Sequence, residues 1–293
     1  MTLNNLRNCF TAIFFLVTLF SCKKEVLTDT TGNTIIAKTL LNVSYGTNPL
    51  QAMDVYLPAG RNISTTKVMI MIHGGGWSSG DKSDFASFVD TMQRRLPDYA
   101  IFNINYRLSA SPYNLFPTQE MDVKASIEFI FNKSVDYQIS DKYVLIGASA
   151  GGHLAMLQGY KYNVPVKPRA IISFYGPSDL TDMYNNPVGG NILISILIAQ
   201  AIGKIPAQDP QLYTSSSPVS FITNLSPPTI LLHGGMDELV SANQSINVSN
   251  KLTAAGVNNQ YVFYPSAGHG VWTNTLLFDA FNKIVSFLAA NVL

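Results

Sequence analysis

Charge is scarce in this chain. Only 13% of the 293 residues are charged, and 19 Lys and Arg stand against 18 Asp and Glu, a formal net charge of +1. A surface with so little field of one sign has nothing to collect nucleic acid, so no nucleic-acid partner is expected. Cysteine is nearly absent: Cys9 and Cys22 cannot build a disulfide framework, and a chain this long buries a core without one. The four histidines are scattered, with no Cys or His at ligand spacing, so no metal site is expected; the chemistry of the strand-end motifs needs no organic cofactor, and none is expected. No Gly-x-x-x-x-Gly-Lys-Ser/Thr segment occurs, which excludes a nucleotide-binding P-loop. Internal repeats and low-complexity tracts are missing as well. What is present is hydrophobic residue, 47% of the chain, enough for a large folded core and too much for a disordered one.

Arg7 gives the N-terminus a positive charge, and residues 10–20 (FTAIFFLVTLF) form an apolar run shorter than the roughly 20 residues that cross a bilayer. That is the pattern of an export signal. The run ends in Leu19-Phe20-Ser21-Cys22, which resembles the lipobox of bacterial lipoproteins, where a small residue precedes a cysteine that is acylated after cleavage. Residues 1–21 are therefore expected to be a lipoprotein signal peptide, Cys22 a lipidation site and residues 22–38 a tether. Residues 39–293 then form one domain of an exported protein, lipid-anchored in a bacterial cell envelope. The competing reading is an ordinary secretory signal that leaves Cys22 as a free thiol.

Apolar runs at 52–57, 68–72, 101–106, 143–146, 170–175, 229–232 and 261–264 read as strands, most of them continuous as in a buried parallel sheet. Helical patterns at 84–96, 120–131, 150–160, 244–255 and 276–289 fall between them. Alternation of this kind predicts an α/β fold with a mostly parallel central sheet and helices on both faces. One long excursion breaks the rhythm: residues 180–226 carry an apolar stretch at 192–202 and a Pro-rich exit, the pattern of a small inserted lid.

The chemistry-bearing motifs sit at strand ends. The strand at 143–146 runs into Gly147-Ala148-Ser149-Ala150-Gly151, a Gly-x-Ser-x-Gly between strand and helix, the context of a nucleophile elbow. A turn this sharp leaves no room for side chains at Gly147 and Gly151, and it exposes the Ser149 hydroxyl near the positive end of the following helix. The strand at 68–72 ends in His73-Gly74-Gly75-Gly76-Trp77, where glycines let bare amides approach a developing oxyanion. A serine nucleophile needs a base. His73 reads as a brace of its loop, His153 as buried in helix packing and His233 as a strand-end residue, which leaves His269 in the flexible Gly268-His269-Gly270 loop. The orienting carboxylate is Asp237, after the penultimate strand, with Asp179 as competitor; neighbouring Glu238 reads as solvated.

Taken together, the segments HGGGW at 73–77, Tyr106-Arg107-Leu108, Phe116-Pro117 with Asp122, GASAGG at 147–152, HGGMDELV at 233–240 and AGHG at 267–270 resemble the hormone-sensitive-lipase-like and feruloyl/acetyl-esterase-like (BD-FAE-like) families of the α/β-hydrolase fold. The resemblance implies a serine esterase in which the amides of Gly75, Gly76 and Ala150 form the oxyanion hole and Trp77 lines the substrate site. Lipase-like members continue the Tyr-Arg-Leu segment with Ala-Pro-Glu. This chain has Ser109-Ala110-Ser111-Pro112 instead, which favours the carbohydrate-esterase-like branch. The expected partner is thus a small-molecule or oligosaccharide ester with a short acyl, acetyl or feruloyl group. A lipase-like esterase for longer chains, a peptidase or amidase, and a noncatalytic hydrolase-like binding protein remain as alternatives.

The lipobox reading has a direct test. Cys22→Ala is expected to move the protein from the membrane fraction to the soluble fraction when cells are fractionated, because the anchoring acyl chains are lost. A variant that stays as membrane-bound as the wild type overturns it.

Overall fold

The apolar runs become strands of a single sheet in the computed structural model, which describes residues 35–293. The expected signal peptide, Cys22 and most of the tether lie outside the described residues. The strands are β1 (Lys38–Ser44), β2 (Ala52–Leu57), β3 (Lys67–Ile72), β4 (Tyr99–Ile104), β5 (Tyr143–Ala148), β6 (Ala170–Phe174), β7 (Thr229–Met236) and β8 (Asn259–Gly268). They lie in the order β1-β2-β4-β3-β5-β6-β7-β8. β2 is antiparallel to both β1 and β4, and every later pairing is parallel.

Side chains alternate across the pleat, so each buried strand feeds two cores. Val68, Ile70 and Ile72 of β3 face one way, Met69 and Met71 the other. On the first face lie α2 (Thr118–Asn132), α4 (Ala150–Lys161) and α8 (Ala242–Ala254); on the second lie α1 (Ala86–Arg95) and α9 (Asn274–Asn291). A single turn, α3 (Ser134–Tyr137), follows α2. Both cores are continuous: Ile127, Leu154 and Val248 pack with Ile70 and Leu145, whereas Val89, Phe281 and Ile284 pack with Met71 and Ile146.

The excursion between β6 and β7 contains α5 (Leu180–Asn185), α6 (Ile192–Ile202) and α7 (Pro210–Ser215). Asn191 caps α6, its side chain accepting from the Leu193 amide at 3.1 Å, and Gly203 ends the helix at φ 87°. Ile194, Ile198, Ala201 and Ile202 are buried against the domain, while Ile192 and Leu193 on the outer side are each 67% exposed. The apolar stretch is thus part core and part surface.

Parallel register sets the site. Ile72 of β3 lies beside Gly147 of β5, Ala148 beside Phe174 of β6, and Phe174 beside Leu232 of β7. The loops that leave β3, β5, β6 and β7 therefore emerge side by side at the carboxyl edge of the sheet, where α/β folds place ligands. The turn from β5 into α4 is tight. A Cβ on Gly147 would lie 2.2 Å from the Gly151 carbonyl oxygen, and one on Gly151 only 2.0 Å from that of Ile72. Both obstacles are backbone and cannot rotate away.

Gly151→Ala should accordingly cost at least about 3 kcal/mol in urea unfolding, or prevent folding. Gly256→Ala, where φ is 72° but nothing lies within 4 Å, should cost only about 1–2 kcal/mol. Equal losses at the two positions would show that the close approach is relaxed in solution.

Candidate active site

Ser149 occupies the bend between β5 and α4 with φ 53° and ψ −123°, a conformation that costs of order 1–3 kcal/mol for a residue with a side chain. Its amide donates to the Phe174 carbonyl at 2.9 Å, and its carbonyl accepts from the His153 amide at 3.0 Å. The backbone is pinned from both sides, so the hydroxyl stands clear of the sheet.

The histidine and the acid arrive together on the last two strands. The β7–β8 ladder shifts register after Gly234 and resumes with Met236 beside Gly268, which makes Asp237 and His269 the next residues on each strand. This requires Gly234, because a Cβ there would lie 2.1 Å from the Ala267 carbonyl oxygen. Asp237 Oδ2 accepts from His269 Nδ1 at 2.8 Å, and the Ser149 hydroxyl donates to His269 Nε2 at 2.9 Å. Asp237 Oδ1 accepts from the amides of Leu239 and Val240 at 2.9 and 2.8 Å. His233 Nε2 lies 3.5 Å from Oδ2. Burial alone would raise the Asp237 carboxyl, but hydrogen bonds from His233 and His269, the attraction of His269 and the Val240 amide outweigh it and hold the group well below the usual carboxylate range. The acid stays charged and aimed.

Facing the serine is the glycine loop. Gly75, Gly76 and Trp77 have φ of 102°, 56° and 61°, a left-handed run. It folds tightly: the Gly75 carbonyl accepts from the amides of Ser78 and Ser79 at 3.2 and 2.9 Å. The Tyr106 hydroxyl lies 3.1 and 3.2 Å from the His73 and Gly74 carbonyls and braces them. Next to Tyr106, Arg107 forms a charge-assisted fork on buried Asp122, which also accepts from Gln51 at 2.8 Å. Among the described residues the amides of Gly75, Gly76 and Ala150 donate to no protein acceptor, so all three remain free for a ligand.

A cavity of about 550 Å³ opens above these groups. One wall is apolar, with Met183, Ile194 and Leu197 from the insertion; the other is aromatic, with Phe88, Tyr175 and Trp272. A second cleft of about 700 Å³ on the outer side of the insertion has neither a histidine nor a carboxylate in its lining.

Trp77 departs from expectation. Residue 77 borders the cavity, but its side chain is 2% exposed and its indole N–H donates to His153 Nδ1 at 3.2 Å, edge-on to Phe116. It offers no face to a sugar ring. The backbone turn that frees the Gly75 and Gly76 amides rotates the next side chain inward. The aromatic surface of the cleft comes instead from Tyr175 and Trp272, the first directly after β6 and the second three residues beyond His269. The strand-end position of Tyr175 is a readable signal; Trp272 is marked only by its nearness to the loop of His269.

The other histidines have structural partners. His73 Nδ1 donates to the Gly74 carbonyl at 2.8 Å and its ring stacks on Tyr106. His233 lies 2.7 Å from the Ser245 hydroxyl and 2.9 Å from the Val240 carbonyl. His153 accepts from Trp77 and donates through Nε2 to the Ser216 carbonyl at 2.7 Å, which fixes it as a neutral tautomer. Asp179 caps α5, accepting from the Asp182 amide at 2.9 Å. Its carboxylate is committed there, while Glu238 is exposed.

An eight-stranded, mostly parallel sheet that presents a strained serine after its fifth strand, an acid after its seventh and a histidine after its eighth is that of an α/β hydrolase. Within that class the chain belongs to the BD-FAE family, whose family model matches residues 53–252. Esterase LipC of Mycobacterium tuberculosis is 25% identical over 78% of this chain and 59% of its own length. The chain spans about half the length of the curated relatives it matches. Among solved structures, a truncated form of a carbohydrate esterase from gut microbiota superposes with a TM-score of 0.74 at 23% identity, over 88% of this chain and 97% of that one. A bifunctional GH43-CE of Bacteroides eggerthii gives 0.73 at 27% identity, over 86% of this chain and 38% of its own.

The buried histidine makes stability depend on pH. Burial lowers His153 from 6.5 to about 4, against the pull of the Ser216 carbonyl. A folded value below the unfolded one contributes stability above pH 6.5 that is lost as pH falls toward about 4. Urea unfolding between pH 7 and pH 4 should show a loss on the order of 3 kcal/mol from this group, and His153→Gln should flatten that slope. An unchanged slope in the variant would assign the acid sensitivity elsewhere.

Proposed function

We propose that the protein is a carboxylic ester hydrolase working through Ser149, His269 and Asp237, and that its substrates are short acyl, acetyl or feruloyl esters of carbohydrates. The observation that carries the catalytic reading is the unbroken hydrogen-bond chain from Asp237 through His269 to Ser149, facing three unpaired amides. Esterase relatives and carbohydrate-esterase neighbours support the substrate reading.

In this mechanism His269 Nε2 takes the Ser149 proton as Oγ attacks the ester carbonyl carbon. The carbonyl oxygen becomes an oxyanion held by the Gly75, Gly76 and Ala150 amides, each donor being worth roughly 3–4 kcal/mol of barrier in comparable sites. Asp237 keeps Nδ1 protonated, so Nε2 is free to act as base, and it stabilises the imidazolium that forms. His269 then protonates the departing alkoxide, leaving an acyl-serine. Water repeats the cycle and releases the acid.

The apolar wall of Met183, Ile194 and Leu197 favours a second reading, in which the same machinery acts on longer acyl chains. Chain length separates the two, since each buried CH₂ contributes about 0.8 kcal/mol, close to fourfold. For p-nitrophenyl esters kcat/KM is expected to peak at about two to four acyl carbons, and acetylated or feruloylated sugars should release acid. A rise continuing through octanoate without acid from such sugars would assign the long-chain reading.

Ser149→Ala and His269→Ala should each lower kcat by about 10⁴–10⁶, and Asp237→Asn by about 10⁴. Asp179→Asn, whose amide oxygen can still accept from the Asp182 amide and cap α5, should leave kcat within a few-fold and change stability by less than about 1 kcal/mol. If Asp179→Asn is the damaging change and Asp237→Asn is mild, the acid has been misassigned.

A further inference from the structure

Directly after β6 the chain puts a bulky side chain where the backbone favours glycine: Tyr175 has φ 39°. Such a conformation persists only when the surroundings over-determine it. Here they do. The Tyr175 amide donates to the Leu232 carbonyl at 2.8 Å. The next residue, Gly176, is pressed so close to α4 that a Cβ would lie 2.7 Å from the Gly152 carbonyl carbon and 2.8 Å from the His153 nitrogen. Backbone demands alone would be met more cheaply by glycine at position 175, so the reason for tyrosine lies in its side chain.

That side chain meets the base. The Tyr175 and His269 ring centroids are 4.6 Å apart at an interplanar angle of 59°. Trp272 backs the tyrosine ring at 5.9 Å and Phe174 at 6.2 Å, so its position is fixed in turn. The hydroxyl lies over the glycine that follows the histidine, since a Cβ on Gly270 would come within 3.6 Å of it, and it makes no hydrogen bond among the described residues. Burial, with the nearby charge of Asp237 adding to it, pushes the hydroxyl up to about 12, so the ring presents no charge to His269 at neutral pH.

His269 needs such a contact. Its loop is flanked by Gly268 and Gly270, the latter at φ 71°. The imidazole turns about its Cα–Cβ and Cβ–Cγ bonds, and on the acid side a single hydrogen bond, from Nδ1 to Asp237, restrains those rotations. A tilted aromatic ring packed 4.6 Å from its own removes the remaining freedom and keeps Nε2 aimed at Ser149 Oγ. We propose that Tyr175 is a positioning residue, whose aromatic ring, not its hydroxyl, holds the His269 imidazole in the plane that reaches Ser149. This rests on the reading of Ser149, His269 and Asp237 as the catalytic triad.

The test uses the full chain with Tyr175→Phe and Tyr175→Ala, steady-state kinetics on p-nitrophenyl acetate, and the low-field proton NMR signal of His269 Nδ1–H, assigned by its loss in His269→Ala. Tyr175→Phe should stay within about twofold of wild type and keep the signal. Tyr175→Ala should lower kcat by about 10- to 100-fold, as small misplacements of catalytic groups do, with KM changed by a smaller factor than kcat and the signal broadened. Should Tyr175→Ala fail to fold, Tyr175→Leu, which fills space without an aromatic face, is measured in its place and expected to behave as the alanine variant. The proposal is overturned if the small variant keeps wild-type kcat, if only KM rises, if Tyr175→Phe is as damaged as Tyr175→Ala, or if the signal is unaffected by loss of the ring. Hydrolysis that survives Ser149→Ala would instead overturn the triad reading, and the NMR comparison would still judge the contact between Tyr175 and His269.

Discussion

The crossing of three backbone segments beneath Ser149 is the constraint from which the site follows. Gly151 at the start of α4 lies so near the Ile72 carbonyl, and Gly147 so near Gly151, that neither tolerates a Cβ. With the helix clamped against the sheet, the residue between them has one way to go, into a left-handed bend that lifts its side chain off the surface. The clamp also fixes where the first amides of α4 point. Because β3 neighbours β5, the loop leaving Ile72 must pass the same place, so the two sources of oxyanion donors are brought together by one packing decision. Strain at Ser149 is thereby offset by the sheet and helix contacts that make it unavoidable.

At the other side of the cleft the equivalent role falls to strand pairing. Resumption of the β7–β8 ladder at Met236 and Gly268 sets the separation of acid and base before either side chain is considered. The electrostatics then build on that distance. Asp237 is almost completely buried and receives donors at both oxygens, so removing its charge would leave several polar groups without a partner. The site is assembled from short backbone approaches, with charge arranged afterwards.

Much of this was legible in the sequence, and the reasons differ from element to element. The buried strands announced themselves as unbroken apolar runs, and the glycines at 147, 151 and 74–76 announced close approach because no other residue suits it. The Ser149, Asp237 and His269 positions followed from where strands end, and the structure brings those three side chains into one chain of hydrogen bonds. β1 escaped because it is an antiparallel edge strand whose residues are mostly exposed, so it has no apolar run to read; it begins at Lys38, inside the span assigned to the tether. The facing of Trp77 escaped for another reason. Its direction depends on three consecutive left-handed residues, a property of the folded loop that composition does not encode. Tyr175 was visible at a strand end, but nothing in one sequence discloses that its backbone is strained.

The link from Trp77 through His153 to the Ser216 carbonyl joins the glycine loop to the far end of the insertion. Lys161 of α4 reinforces the same root by donating to the Ser215 carbonyl at 2.8 Å, and the Ser217 hydroxyl accepts from the Leu180 amide at 2.9 Å. The insertion is therefore not an interchangeable cassette. Grafting a relative's insertion onto this scaffold would leave the buried His153 Nε2, which sits behind the oxyanion loop, without its acceptor, so a transplant that aims to alter substrate range has to supply a carbonyl in the place of that of Ser216. Within α6 the outward-facing Ile192 and Leu193 stand clear of this arrangement, whereas Leu197 on the inner side packs onto Gly76, where a Cβ would lie 2.9 Å from the leucine Cδ2.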